Sequence, residues 1–283
     1  VKNFLTIAGI VIVLSLSEIS FAGVPFTNLE GVGGAAFNPF AYPANSGSAI
    51  KDADGKDTIF GKPQVGGWYV TLSEANINWT SFGIAETIGK RFEISFANED
   101  IHVGSPVYTN FIKQDVGAKF LILPENALGD WSPAFSVGAI YKHTNPALSS
   151  TIDSSGHDFY AVVTKFITSG LPVPVLLSGG VRNTNSLVTG VLGYDDDERD
   201  NILFGNIDVI VIKDVAVGFE YQQGPKFSDS DWKSADYYDV HVAWLINPNL
   251  SLIGAYVNTG SYNLGSDKLG LGDGVVASLQ YAF

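Results

Sequence analysis

The chain has 283 residues, a formal net charge of −13, 31 Gly, 18 Phe and 12 Tyr, and neither Cys nor Met. Too few cations for a phosphate-binding surface exclude nucleic acid as a partner, and the absence of Cys excludes disulfides, thiolate metal centres, a cysteine nucleophile and an acylated N-terminal cysteine. At 46% apolar and 16% charged residues, the chain is too hydrophobic for disorder and too aromatic and glycine-rich for a helical bundle, so an all-β fold is expected.

Residues 1–22 carry one basic residue, Lys2, an apolar run from Phe4 to Leu16, and the small-residue ending Ser20-Phe21-Ala22. This is the pattern of a secretory signal peptide, with cleavage expected between Ala22 and Gly23. The apolar run is shorter than the roughly 20 residues a membrane-crossing helix needs.

Residues 23–65 do not alternate and are rich in Gly, Pro and aromatic side chains. A loop-like segment of this kind either enters a barrel lumen as a plug or stays in the periplasm; partial insertion is expected. Its Gly31-Val32-Gly33-Gly34 has the look of a phosphate loop, but no helix signal follows and Pro39 interrupts, so close backbone packing is the simpler reading.

From residue 66 to 283, segments of about ten residues alternate with period two between Gly, Asn, Asp, Pro and Ser clusters. The expected strands are Gly67–Ser73, Asn76–Ala85, Arg91–Ala97, Lys113–Leu123, Ala134–Lys142, Phe159–Ile167, Val175–Asn183, Leu203–Ile212, Val215–Gln222, Tyr237–Ile246, Leu250–Asn258 and Val275–Phe283. Lys213-Asp214 and Asn247-Pro248-Asn249 are tight turns, whereas 98–110, 143–157, 184–201, 224–236 and 259–274 are long and polar. Short connections alternating with long ones predict a transmembrane antiparallel up-and-down β-barrel of about 12 strands, with periplasmic turns and outer loops. Ser73 to Asn76 is short where a long loop is due, and 124–132 is intermediate.

In the last segment Val275, Ala277, Leu279, Tyr281 and Phe283 share one face. Leu279, Tyr281 and the final Phe283 resemble the C-terminal assembly signal of bacterial outer-membrane β-barrels, which implies recognition by the barrel-assembly machinery and a place in the bacterial outer membrane. The stretch Leu29-Glu-Gly-Val-Gly-Gly-Ala-Ala-Phe-Asn-Pro-Phe-Ala-Tyr-Pro43 resembles the opening of an uncharacterised family of Gram-negative outer-membrane proteins carried under a domain-of-unknown-function label. That second resemblance supplies no activity.

The opposite faces of the strands give a candidate lumen lining: Arg91, Glu93, Lys113, Asp115, Lys119, Lys165, Arg182, Asp208, Glu220, Asp239 and His241. Ion pairs across a narrow barrel would satisfy these charges, in an open passage or in a packed, closed interior. The acidic run Asp195 to Asp200 lacks the spaced ligands of a calcium loop and reads as a solvated loop. The four His residues have no zinc-type spacing, so no metal and no cofactor is expected. Asp239 and His241 share a strand face, and Ser278 or Ser251 could complete a hydrolase set, but no nucleophile motif surrounds either serine; an enzyme is not expected. The function expected is a porin-like passage for small solutes, restricted by lumen charges and by residues 23–65, in contact with outer-membrane lipid and lipopolysaccharide. A closed structural or surface-interaction barrel is the alternative, and an outer-membrane lipid-modifying enzyme the second.

Overall fold

A computed structural model describes residues 26–104, 110–228, 233–265 and 268–283. The expected signal peptide, and parts of three expected outer loops, lie outside the described residues. The strands are β1 (Gln64–Leu72), β2 (Ile77–Ile88), β3 (Phe92–Val103), β4 (Phe111–Leu123), β5 (Ala134–Asn145), β6 (Ser155–Ile167), β7 (Val175–Thr184), β8 (Asp200–Ile212), β9 (Val215–Gln222), β10 (Tyr237–Leu245), β11 (Leu250–Asn258) and β12 (Asp273–Ala282). Each pairs antiparallel with its neighbours in the chain, and β1 pairs with β12 from Gln64↔Ala282 to Leu72↔Gly274. The sheet therefore closes into a barrel without an edge, which satisfies every strand's backbone groups within the wall.

Side chains alternate between two environments. On β4, Phe111, Lys113, Asp115, Lys119 and Leu121 are buried inside, while Ile112, Val116, Phe120 and Ile122 are exposed outside. The outer face of β10 carries Tyr238, Val240, Val242 and Trp244, and that of β12 Val275, Leu279 and Tyr281, all exposed. An apolar surface that continues right round the wall far exceeds the roughly 300–600 Å² patch of a soluble monomer. Around an interior that mixes charged side chains such as Lys113 and Arg182 with apolar ones such as Trp68 and Ile140, this outward belt is that of a membrane barrel.

Several strands run beyond their expected ends. β3 continues to Val103, β5 to Asn145, and β6 and β8 begin at Ser155 and Asp200, all within stretches expected to be loop. At these outer ends the pattern inverts: Asn98, Asp100 and His102 point out, while Glu99, Ile101 and Val103 are buried. A polar outward row reads as loop only if the wall is assumed to stop at the hydrocarbon.

Candidate functional site

Residues 26–44 lie inside the barrel. Their backbone folds on itself through Asn28 N–H to Val32 C=O and Leu29 N–H to Ala36 C=O, with Asn28 Oδ1 accepting from Val32 N–H at 2.9 Å. Gly31 has φ +79°, and a Cβ there would lie 2.5 Å from the Phe96 carbonyl oxygen of the wall. Only glycine permits both that conformation and that approach. The Gly31-Val32-Gly33-Gly34 run is thus a packing element against the strands.

The plug is fastened chiefly by polar side chains of the wall. Glu220 accepts from the N–H groups of Ala36 (2.9 Å), Phe37 (3.1 Å) and Asn38 (2.7 Å). Glu93 accepts from Gly33 and Ala44, Lys119 donates to the Gly33 carbonyl at 2.8 Å, and Thr164 accepts from Ala41 N–H at 2.8 Å. Gln280 Oε1 accepts from Thr27 N–H at 3.0 Å, and Trp68 donates its indole N–H to Thr27 C=O at 2.9 Å. Further along, Tyr42 donates its hydroxyl to Glu125 at 2.9 Å. Burial, reinforced by the Glu125 carboxylate, pushes the Tyr42 phenol well above its ordinary range, so it stays protonated as the donor.

Glu30 projects from the plug into the cationic side of the wall. Arg182 reaches it at 3.1 Å and Lys113 at 3.9 Å, and Lys142 donates to it directly. Asp158 closes the group, 2.7 Å from Lys142 and 3.3 Å from Arg182, and Lys113 also meets Glu99 (2.7 Å) and Asp115 (2.8 Å). A separate pair joins Lys119 and Glu93 at 2.9 Å. These charges have side-chain exposures of 2% or less.

A second element enters from the long-loop end. The connection 185–199 between β7 and β8 turns inward, burying Leu187, Val188, Val191, Leu192 and Tyr194. Thr189 Oγ1 donates to Glu30 at 2.9 Å, and Thr189 C=O accepts from Lys142 at 3.3 Å. Plug and loop therefore meet at one carboxylate. An apolar cavity of about 40 Å³ remains between them, bordered by Leu29, Ala36, Phe37, Val188, Tyr237 and Val276 among others.

Of the side chains expected in the lumen, Glu93, Lys113, Asp115, Lys119, Arg182, Asp208, Glu220, Asp239 and His241 face inward. Two do not. Arg91 is exposed in the tight turn between β2 and β3, because β3 starts one residue later. Lys165 has the outward parity of β6, Thr164 being the buried neighbour, and pairs with Glu125 of the 124–132 connection at 3.1 Å. Glu30, Glu99, Lys142 and Asp158 join the interior without having been expected. With them carboxylates outnumber cations among the described interior residues: Glu30, Glu93, Glu99, Asp115, Asp158, Asp208, Glu220 and Asp239, against Lys113, Lys119, Lys142 and Arg182, with His241 between Asp208 and Asp239. Continuing the period-two pattern one or two residues past each assumed strand end would have found Glu99 and Asp158.

His241 lies between two carboxylates, Nδ1 at 2.6 Å from Asp239 and Nε2 at 2.7 Å from Asp208. Both ring nitrogens are taken, and neither contacts Ser278 or Ser251. Ser278 instead donates to Gly67 C=O at 2.8 Å. Among the described residues no group of His, Asp or Glu side chains has metal-site geometry. Leu279, Tyr281 and Phe283 all point outward, with Tyr281 and Phe283 in edge contact at 4.9 Å.

No curated protein matches the chain. Among solved structures it is similar to a KdgM porin (13% identity, TM-score 0.49, 78% of this chain and 99% of that one) and to a NanC porin (12%, 0.47, 78% and 98%). It is also similar to the Acinetobacter baumannii outer membrane protein Omp33 (10%, 0.46, 80% and 99%). A family model described as "Protein of unknown function (DUF3034)" matches residues 23–271, and the chain belongs to that family.

Proposed function

We infer that this protein is a bacterial outer-membrane β-barrel that provides a porin-like passage for small solutes, held shut by residues 26–44 from one end and loop 185–199 from the other. The observation that carries the reading is the nature of the fastening. The wall's hydrogen bonds run strand to strand and close without the plug, while the plug is attached largely by side-chain hydrogen bonds and by Glu30. Such a stopper can leave without opening a sheet edge, and it uncovers a bore that carries charged side chains among apolar ones. Selection would then rest on bore size and on a carboxylate-rich lining that disfavours anions. The outward row Leu279, Tyr281 and Phe283 would serve barrel assembly, and the apolar belt would contact outer-membrane lipid.

A second reading has its own support: lumen charges this thoroughly buried suit a permanently closed structural barrel. Planar-bilayer conductance of the refolded mature chain separates the two. Deleting residues 23–44 is expected to convert small or rare openings into larger steps. Silence from both forms, in protein that migrates faster unheated than boiled, favours the closed barrel.

A further inference from the structure

At the outer ends of several strands the membrane-facing side carries tyrosines whose hydroxyls bond to neighbouring side chains, as Tyr69 does to Asn78, Tyr221 to Asp236 and Tyr256 to Asp273. β7 and β8 carry no such tyrosine at their outer ends. They present Asn183, Asn201 and, just before β8, Arg199, whose position continues the outward parity of Asn201 and Leu203. The guanidinium lies over the outward ring of Phe159, 5.4 Å from its centre, and the ring of His157 meets the same Phe at 5.1 Å. Arg199 is held in place by Nε to Asn183 Oδ1 and by Nη2 to the carbonyls of His157 (2.7 Å) and Asn183 (2.9 Å). Among the described residues these bonds leave Nη1 without a protein partner, and no described carboxylate forms an ion pair with the group. Asn183 Nδ2 donates to Asn201 Oδ1 at 2.9 Å, and the Asn201 side-chain N–H groups have no partner among the described residues. The adjacent Asp200 is occupied, accepting from the backbone N–H groups of Asn201 and Lys226.

Asn183 and Asn201 also form one end of an outward groove of about 540 Å³. Its floor is made of small membrane-facing residues, Ala118, Ala139 and Ala161, and the rest of its lining includes Phe120, Phe159 and Val181. Across the register Ala118↔Ala139↔Phe159↔Asn183↔Asn201 the surface passes from alkyl to aromatic to amide, and the Arg199 guanidinium lies over Phe159 beside Asn183. An apolar groove that ends in an amide and, beside it, a guanidinium matches an amphiphile with a hydrocarbon chain and an anionic oxygen-rich head. A planar guanidinium with a free N–H suits phosphate oxygens especially well. Because the donor end lies at the long-loop side, the head belongs to the outer leaflet.

Resting on the membrane reading above, we propose that this groove seats one phosphorylated outer-leaflet glycolipid, with a phosphate oxygen on Arg199 Nη1 and an acyl chain lying over Ala118, Ala139 and Ala161. The test is native mass spectrometry of the refolded mature chain in detergent, titrated with lipid A carrying both phosphates and with its dephosphorylated form. The phosphorylated lipid is expected to bind one per chain and about tenfold or more tightly, the scale of one charge-assisted contact. Arg199→Gln should remove that preference, and Ala161→Phe should weaken both lipids by filling the groove. Heat-modifiable migration should stay as in the parent protein. Equal binding of the two lipids, an unchanged preference in Arg199→Gln, or a stable dimer occupying the groove in place of lipid overturns the proposal. Failure of the chain to fold in detergent at all instead overturns the membrane reading beneath it.

Discussion

Removing the Glu30 carboxylate tests whether the plug is ion-locked. Glu30→Ala leaves Lys113, Lys142 and Arg182 facing a site that has lost its central anion, although Asp158, Glu99 and Asp115 stay in contact with them. Breaking a buried pair from one side costs about 3–5 kcal/mol, but retained neighbours soften the loss, so about 3 kcal/mol is the expected destabilisation of the seated plug. At about 1.4 kcal/mol per decade this raises the unseated fraction roughly a hundredfold. Because the chain has no cysteine, a single Ala36→Cys reports on seating without background, and Ala36 borders the internal cavity, so the sulfur has room. Maleimide labelling of Cys at position 36 is therefore expected to accelerate by about two decades in Glu30→Ala when opening precedes labelling, while unheated gel migration stays that of a folded barrel. Unchanged labelling with the barrel intact would mean that Glu220 and the other hydrogen bonds hold the plug alone, and that the cluster around Glu30 contributes nothing to closure.

Val242 is 47% exposed on the outer face, so Val242→Arg should destabilise the protein in lipid vesicles by about 2–4 kcal/mol in urea titrations, whereas an ordinary solvated surface would tolerate it within about 0.5 kcal/mol. In the outer loops, a hydrogen bond to Asp153 and that neighbour's charge raise the Asp196 carboxyl above its ordinary 3.8. A raised folded-state value stabilises the loop contact fully below the unfolded value and loses it as pH rises through the folded one. Amide exchange at Asp153 and Tyr194, whose backbones bond to each other at 3.0 and 2.9 Å, should therefore quicken from acid to neutral pH after correction for intrinsic exchange, and Asp153→Asn should flatten the dependence.

The wall was legible because period-two alternation is a local signal, and β9, β10 and β12 lie nearly where their apolar rows put them. Strand ends were less legible: Asn98, Asp100 and His102 face out above the apolar belt, where polar residues carry no penalty, so the contrast on which the pattern depends disappears. Which charges enter the lumen follows from parity, and the expected lining failed where a turn shifted the start of β3 past Arg91 and at Lys165, which has the outward parity of β6. The role of Glu30 was beyond local reading. Its partners are 83, 112 and 152 residues away in sequence, at Lys113, Lys142 and Arg182, and only barrel closure brings them together.

The outer stopper stores strain that the inner one restrains. Val188 (φ +48°) and Thr189 (φ +55°) are β-branched residues in the left-handed region, an arrangement that costs about 1–3 kcal/mol for each residue and persists only when its surroundings enforce it. The enforcing bonds are Val188 N–H to Ser234 Oγ at 3.0 Å, Thr189 N–H to Tyr237 Oη at 3.2 Å, and the Thr189 contacts with Glu30 and Lys142. Two of the four depend on the position of Glu30, so withdrawing the plug removes about half of what holds the turn in its strained form. The two stoppers should then open together rather than in sequence. Glu30→Gln is expected to speed amide exchange at Val188 and Thr189 about tenfold or more, the effect of losing about 1.4 kcal/mol or more of restraint. Thr189→Gly relieves the backbone strain but also loses the hydroxyl, and in that background the response to Glu30→Gln should shrink, a coupling of about 0.5–3 kcal/mol in a double-mutant cycle. Additive effects would show that loop 185–199 is an independent lid, closed whether or not the plug is in place.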